Sequence, residues 1–184
     1  MKQKGSIITK TIGALQKRLA ENDNVIQIQS AQGYLYKATC TFHPPASEEE
    51  LHEFEKKTGF MLPVDYKEFL KITNGCYLFD DIQYGGETHL YSLEEILAYN
   101  NAYDPHEGCF DIACIFQDNI VINSQMASQN KENYLFWKGH IDQFTEALPL
   151  KMNFEIWFDR FVVTQGSKFW NWPFYTADNY YRLC

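Results

Sequence analysis

Residues 46–75 read ASEEELHEFEKKTGFMLPVDYKEFLKITNG, and the fold follows from this stretch more than from any other. Ser47 is followed three residues later by Glu50, the spacing of a capping box in which each side chain satisfies a free amide at a helix start. Gly59 is a typical helix end, because glycine adopts positive φ without steric cost. The first half of the stretch therefore predicts one helix with both ends defined.

A second helix is predicted to begin at Leu62-Pro63, since proline is favoured in the first turn of a helix. Asn74-Gly75 ends it, because both residues tolerate positive φ. Apolar residues at helical spacing indicate the buried side; they are Tyr66, Phe69, Leu70 and Thr73. The stretch thus predicts a helix pair with a short linker.

The flanking sequence adds strands and two more helices. An amphipathic first helix carries Ile8, Ile12, Leu15 and Leu19 on one side, and period-two alternation predicts a hairpin of strands 25–29 and 34–42. Further strands are predicted at 77–79, 82–84, 89–91, 111–116, 120–123 and 134–138, a brief helix at 92–100 and a closing helix at 154–163. These elements predict an α+β fold, with a mixed, largely antiparallel sheet covered by helices.

The length of 184 residues, with 45% hydrophobic content, suits one well-buried core. We predict a single domain with additions at both ends. Residues 1–42 form an N-terminal helix and hairpin extension, 43–164 the central domain, and 165–184 an aromatic tail that packs on it.

The acidic charge of the chain is local. Between Lys71 and Lys131 there is no Lys or Arg, and this segment carries −9 while the rest of the chain carries +1. Its carboxylates are Asp80, Asp81, Glu87, Glu94, Glu95, Asp104, Glu107, Asp111 and Asp118. Such a segment predicts a one-signed field that attracts cationic partners and repels nucleic acid; the alternative is a solvated face that only maintains solubility.

No motif of an enzyme class is present: there is no Walker A loop, G-x-G-x-x-G or G-x-S-x-G. His52-Glu53 begins like a zinc-protease helix, but Lys56 stands at the position of the second histidine ligand. Cys109 and Cys114 are open to two interpretations, half of a metal site or buried structural thiols, and the apolar neighbours favour thiols. We therefore expect a protein without catalytic activity, cofactor or metal.

Location follows from hydropathy and cysteine usage. Charged residues interrupt every apolar run before it reaches the length of a membrane span. Lys10, Lys17 and Arg18 interrupt the N-terminal apolar region that a secretory signal needs. Five cysteines at irregular spacings do not suit a disulfide framework. We expect a cytoplasmic protein without membrane partners.

The four tryptophans suggest stacking on sugars or bases. Trp157 fits the core side of the closing helix and Trp137 the core of a strand. Trp170 and Trp172 remain as candidates for an exposed binding surface.

The stretch from Pro44 to Gly75 resembles the signature of the SUKH superfamily, which contains the yeast Smi/Knr-type cell-wall regulators and many bacterial immunity proteins. The resemblance covers about residues 43–164 and is strongest in its first third. It implies an α+β fold and a non-enzymatic binding protein, in bacteria typically an immunity protein that neutralises a toxin domain, often a nuclease. The matching elements are Glu50, Phe54-Glu55, Gly59, Leu62-Pro63, Tyr66, Phe69-Leu70 and Asn74-Gly75.

Three functions follow as hypotheses. The first is an antitoxin whose acidic face covers the basic cleft of a nuclease toxin, with no direct binding of nucleic acid. The second is a regulatory or scaffold module with another protein partner, and the third, disfavoured, is an enzyme acting on a small cation. The predicted partner-binding residues are Asp80, Asp81, Glu87, Asp104, Glu107, Asp118, Trp170 and Trp172.

Overall fold

A computed structural model describes residues 4–102 and 108–180. The helices of this part are α1 Ser6–Ala20, α2 Glu48–Thr58, α3 Val64–Leu70, α4 Leu93–Ala102, α5 Ser124–Ser128 and α6 Phe154–Val163. Its strands are β1 Ile26–Gln29, β2 Leu35–Phe42, β3 Cys76–Asp81, β4 Thr88–Leu90, β5 Cys109–Ile115, β6 Asp118–Asn123, β7 Leu135–Gly139 and β8 Leu148–Pro149. Short 3-10 helices cover Ala31–Gly33, Phe144–Glu146 and Phe169–Phe174.

The eight strands form one sheet in which the spatial order is the chain order. Each strand pairs antiparallel with the next along the chain. The predicted α+β class with a largely antiparallel sheet in a single domain is confirmed. All pairings within the described residues are antiparallel.

Residues 4–42 share the sheet and the core with the other described residues. Strand β2 pairs with β3, with Thr41 opposite Tyr77. Helix α1 packs on α6, where the Thr11 hydroxyl donates to Asp159 Oδ1 (2.6 Å). All four apolar residues predicted for the inner side of α1 are buried. The hairpin therefore extends the sheet, and α1 extends the helical layer.

The helix pair has the predicted local interactions. The Ser47 amide donates to Glu50 Oε2 (2.7 Å), and the Glu50 amide donates to the Ser47 hydroxyl (3.2 Å). Gly59 ends α2 with φ of 72°. Glu55 joins the two helices, because its carboxylate accepts from the Leu62 amide (2.8 Å) and pairs with Lys67 (2.9 Å). The motif that resembles the SUKH signature is thus structural.

A single hydrophobic core lies between the helices and one face of the sheet. Phe69 of α3 packs against Phe154 of α6, with ring centroids 5.1 Å apart. Asp65 is buried beside them and caps the start of α6, accepting from the Glu155 amide (2.9 Å) and from the Tyr134 hydroxyl (2.5 Å). These hydrogen bonds satisfy a buried carboxylate that would otherwise be costly.

The aromatic tail is partly inside the protein. Trp170 packs against Trp157 and Phe161 of α6, with ring centroids 6.1 and 6.2 Å apart. Trp157 is fully buried, as predicted for the closing helix. The tail therefore closes the core at the end of α6 before the chain returns to the surface.

Candidate protein-binding surface

The order of the strands brings four turns to the same end of the sheet. In an antiparallel sheet whose spatial order is the chain order, alternate connections fall at the same end. We call this the hairpin end; it comprises residues 30–34, 82–87, 116–117 and 140–147. The connections that contain α2 to α5 lie at the opposite end, so the turns are not covered by these helices.

Hydrogen bonds link these turns to one another and to strand β2. The Ile82 amide donates to Lys37 O (3.0 Å), and the Phe116 amide donates to Glu87 O (3.0 Å). The His140 amide in turn donates to Gln117 O (2.7 Å). Turns 82–87, 116–117 and 140–147 are therefore linked into a continuous rim, which β2 joins to the turn at 30–34.

Large apolar side chains are exposed along this rim. Tyr84 is 81% exposed, Ile82 54% and Ile141 94%, while Tyr34 and Phe116 are also exposed. Single exposed apolar side chains are ordinary, but a row of them at one end of a sheet is typical of a protein-binding surface.

The tip between β5 and β6 has an unfavourable backbone conformation for its residues. Phe116 and Gln117 have φ of 45° and 67°, the left-handed values that a two-residue hairpin requires and that glycine or asparagine usually supplies. A bulky residue with positive φ is a real outlier, and such outliers concentrate at functional sites. The sequence predicted this hairpin but placed its turn at 117–119, so the position of the exposed Phe116 was missed.

Three of the predicted carboxylates lie in or beside the turn between β3 and β4. Asp81 Oδ1 accepts from the amides of Gln83 (2.7 Å) and Tyr84 (3.2 Å), which fixes the turn. Asp80 packs against Gly86, and burial raises the pKa of its carboxyl. Glu87 is exposed. Within residues 4–102 and 108–180, no Lys or Arg forms an ion pair with any of these three carboxylates.

Asp118 and Trp170 lie inside the protein, so the expectation that they are exposed is wrong. The Trp170 indole Nε1 donates to Asp118 Oδ2 (3.1 Å), and both residues are buried. Lys168 of the tail pairs with Asp118 Oδ1 (3.1 Å) and donates to Phe116 O (3.1 Å). Asp118 therefore anchors the tail, and of the two tail tryptophans Trp172 is the exposed one, at 55%.

The predicted one-signed field is also weakened elsewhere. Asp111 lies 3.7 Å from Lys138 Nζ and accepts from the Asn119 amide group (2.7 Å), although burial still raises the pKa of its carboxyl. Glu95 belongs to the capping box of α4 at the opposite end of the sheet and lies 3.2 Å from His89 Nε2. The carboxylates of this segment that the structure describes thus do not form one face. At the hairpin end, Asp80, Asp81 and Glu87 form no ion pair with a Lys or Arg of the described ranges.

Two predicted residues, Asp104 and Glu107, lie outside the described residues.

Cys109 and Cys114 both lie in β5 with free thiols, and burial raises the pKa of each. In the described ranges, no group of three or more His, Cys, Asp or Glu side chains is arranged to hold a metal ion. Among these same residues, no helix combines the length and the hydrophobicity that crossing a membrane requires.

Comparison with known proteins identifies the family. Residues 45–160 match the model of the SMI1 / KNR4 family (SUKH-1). The chain belongs to this family. The match begins just before α2 and ends within α6, so α1, the first hairpin and the tail lie outside it.

Relatives of this SUKH-1 protein occur in Bacillus subtilis (strain 168). The uncharacterized protein YobM is 31% identical over 186 residues, which cover 96% of this chain and 98% of YobM. The uncharacterized protein YnaB is 40% identical over 133 residues, 72% of this chain and 88% of YnaB. Similarity to YobM extends over nearly the whole chain, and therefore includes parts of α1, the first hairpin and the tail that the family model does not match.

Proposed function

We propose that this SUKH-1 protein is an immunity protein that binds a cognate toxin domain in the bacterial cytoplasm and neutralises it without catalysis. The observation that carries the proposal is the hairpin end, where linked turns present exposed apolar side chains beside three carboxylates that form no ion pair with a Lys or Arg of the described ranges. Membership of a family that contains immunity proteins supports the same role.

The chemistry of the surface favours a basic partner. Tyr84 and Phe116 are large anchors of the kind that provides most of the affinity in protein interfaces. Asp80, Asp81 and Glu87 complement the cationic groups that line a nucleic-acid cleft, and charge complementarity increases association rates and selects partners. A nuclease toxin is therefore the partner we propose, with this surface covering its cleft.

Co-expression tests the proposal. The proposal predicts that a neighbouring gene encodes a toxin domain, and this domain is produced in a bacterial host alone and together with the protein. We expect growth arrest with the toxin alone and normal growth with both. If the domain arrests growth in both cases while the protein is present and folded, the immunity function is refuted.

Association kinetics test the role of charge. We expect Glu87→Gln to lower the association rate constant for the toxin domain about threefold at low salt, with little change in the dissociation rate. Glu49→Gln is the matched control, because Glu49 is exposed on α2, outside the hairpin end. An equal effect of both substitutions, or a rate that does not change with salt, would count against electrostatic docking here.

A further inference from the structure

A cleft of about 730 Å³ lies between the first hairpin and the C-terminal segment. One wall consists of the end of β1 and the turn that follows it, with Gln29 and Gln32. The other wall consists of the residues after α6, with Gln165, Trp172 and Tyr175. Its volume falls within the range of small-ligand sites in proteins.

The polar lining consists of amides and hydroxyls. The side chains of Gln29, Gln32 and Gln165 make no hydrogen bond to another residue of the described ranges. Each carboxamide offers two donors and one acceptor oxygen. The Thr164 hydroxyl already donates to Arg160 O (2.8 Å), so it is free to accept. The cleft thus offers donors and acceptors together.

The apolar lining is aromatic and partly exposed. Trp172 is 55% exposed and Tyr175 43%, and Tyr180 lies beside them. An indole or phenol ring presents a flat apolar face while its polar atom remains available for hydrogen bonding. None of the described residues that line the cleft carries a formal charge.

Two of the three glutamines have an unusual backbone conformation. Gln32 has φ of 63° and Gln165 has φ of 55°. Such values are uncommon for residues other than glycine and asparagine, and they persist where the surrounding structure requires them. Gln32 and Gln165 lie on opposite walls of the cleft, and their constrained backbones fix the positions from which the two side-chain amides extend.

We propose that this cleft binds a neutral saccharide. Hydroxyl groups of a sugar both donate and accept, which matches carboxamides and hydroxyls, and the C–H face of a pyranose ring stacks on Trp and Tyr rings. The part of the lining that the structure describes gives no counter-ion to a phosphate, a nucleotide or a cationic metabolite. The inference does not depend on the proposed immunity function.

A neutral peptide is the main competing occupant, and the composition of the lining disfavours it. Grooves that take proline-rich peptides are dominated by aromatic rings. Among the described lining residues, six Gln, Ser and Thr side chains carry amide or hydroxyl groups, against three aromatic side chains, Trp172, Tyr175 and Tyr180. The high proportion of hydrogen-bonding side chains thus favours a ligand, such as a sugar, that carries hydroxyl groups on most of its carbon atoms.

Calorimetry and saturation-transfer NMR with the full chain test the proposal, using maltotriose, cellotriose and triacetylchitotriose as probes. We expect saturable binding of at least one trisaccharide. Trp172→Ala should weaken it about tenfold, because ring stacking is lost. Phe174→Ala is the matched control, since Phe174 is 56% exposed in the same 3-10 helix but does not line the cleft, and it should change the affinity less than about twofold.

A second variant, Gln165→Leu, removes one amide at similar size and should also weaken binding about tenfold. Thermal unfolding of each variant verifies that it is folded. The proposal is overturned if none of the three trisaccharides binds the folded wild type. It is also overturned if Phe174→Ala lowers the affinity as much as Trp172→Ala, or if decaproline binds in a Trp172-dependent manner while the sugars do not.

Discussion

The indole nitrogen of Trp170 donates to Asp118 Oδ2 over 3.1 Å, joining the tail to the start of β6 across 52 residues of chain. Lys168 pairs with the other oxygen of the same carboxylate, at 3.1 Å. Both residues of the hydrogen bond are buried. Asp118 was predicted to lie on the surface because its segment is acidic. It is instead buried, where it holds the tail in place.

Trp170→Phe should lower the free energy of unfolding by about 2 kcal/mol, because the buried Asp118 carboxylate loses a donor. Urea unfolding followed by circular dichroism measures the change. Trp172→Phe is the control: Trp172 is exposed, and its replacement should change stability by less than about 0.5 kcal/mol. Equal losses in the two variants would show that the hydrogen bond to Asp118 contributes nothing.

Gly86→Ala should destabilise the turn between β3 and β4. A Cβ atom at Gly86 would lie 2.9 Å from Asp80 Cα, too close for any real contact, so the turn must shift. We expect a loss of about 1 to 3 kcal/mol in chemical unfolding. Gly13→Ala is the matched control, since nothing lies within 4 Å of its Cβ in α1, and it should gain about 0.5 to 1 kcal/mol. A neutral result for Gly86→Ala would contradict the close packing of Asp80.

Asp80→Asn should change stability in a pH-dependent way. Burial raises the pKa of the Asp80 carboxyl in the folded protein, so the folded state binds its proton more tightly than the unfolded chain. The charged form therefore destabilises the fold above the native pKa, and this penalty disappears as the pH falls below the unfolded value. We expect the variant to be more stable than the wild type at pH 7, and the gain to vanish at about pH 3. Thermal unfolding across this range measures the gain; a gain that grows toward acid pH would have the wrong sign.

Tyr84→Ala should weaken binding of the toxin domain at least about tenfold, because the side chain is an exposed anchor at the centre of the hairpin end. Val64→Ala is the control for loss of an exposed apolar side chain, since Val64 is 57% exposed on α3. Surface plasmon resonance on both variants gives the two dissociation constants. Similar affinities would place the interface elsewhere.

Local rules predicted most of the fold. The capping box at Ser47 and the glycine end of α2 are found as predicted, because each depends on residues close in the chain. The closing helix has the predicted bounds of Phe154–Val163. Short elements with weak periodicity, such as α5 and β8, were missed.

The surface was harder to predict because it depends on contacts between distant residues. Lys138 and Lys168 pair with Asp111 and Asp118 of the acidic segment, and no local pattern reveals such pairs. The exposure of Phe116 follows from the register of β5 and β6, which places it and not Asp118 at the tip. The grouping of the turns at one end follows from the strand order, which a sequence with several equivalent short strands does not specify.

Hydrogen–deuterium exchange of the protein, free and bound to its toxin domain, shows whether the hairpin end is the toxin-binding surface. We expect slower amide exchange in the complex at residues 82–87 and 116–117, with the first turns of α2 and α3 unchanged. Protection confined to α2 and α3, with the hairpin end exchanging at the rate of the free protein, would exclude the hairpin end as the interface.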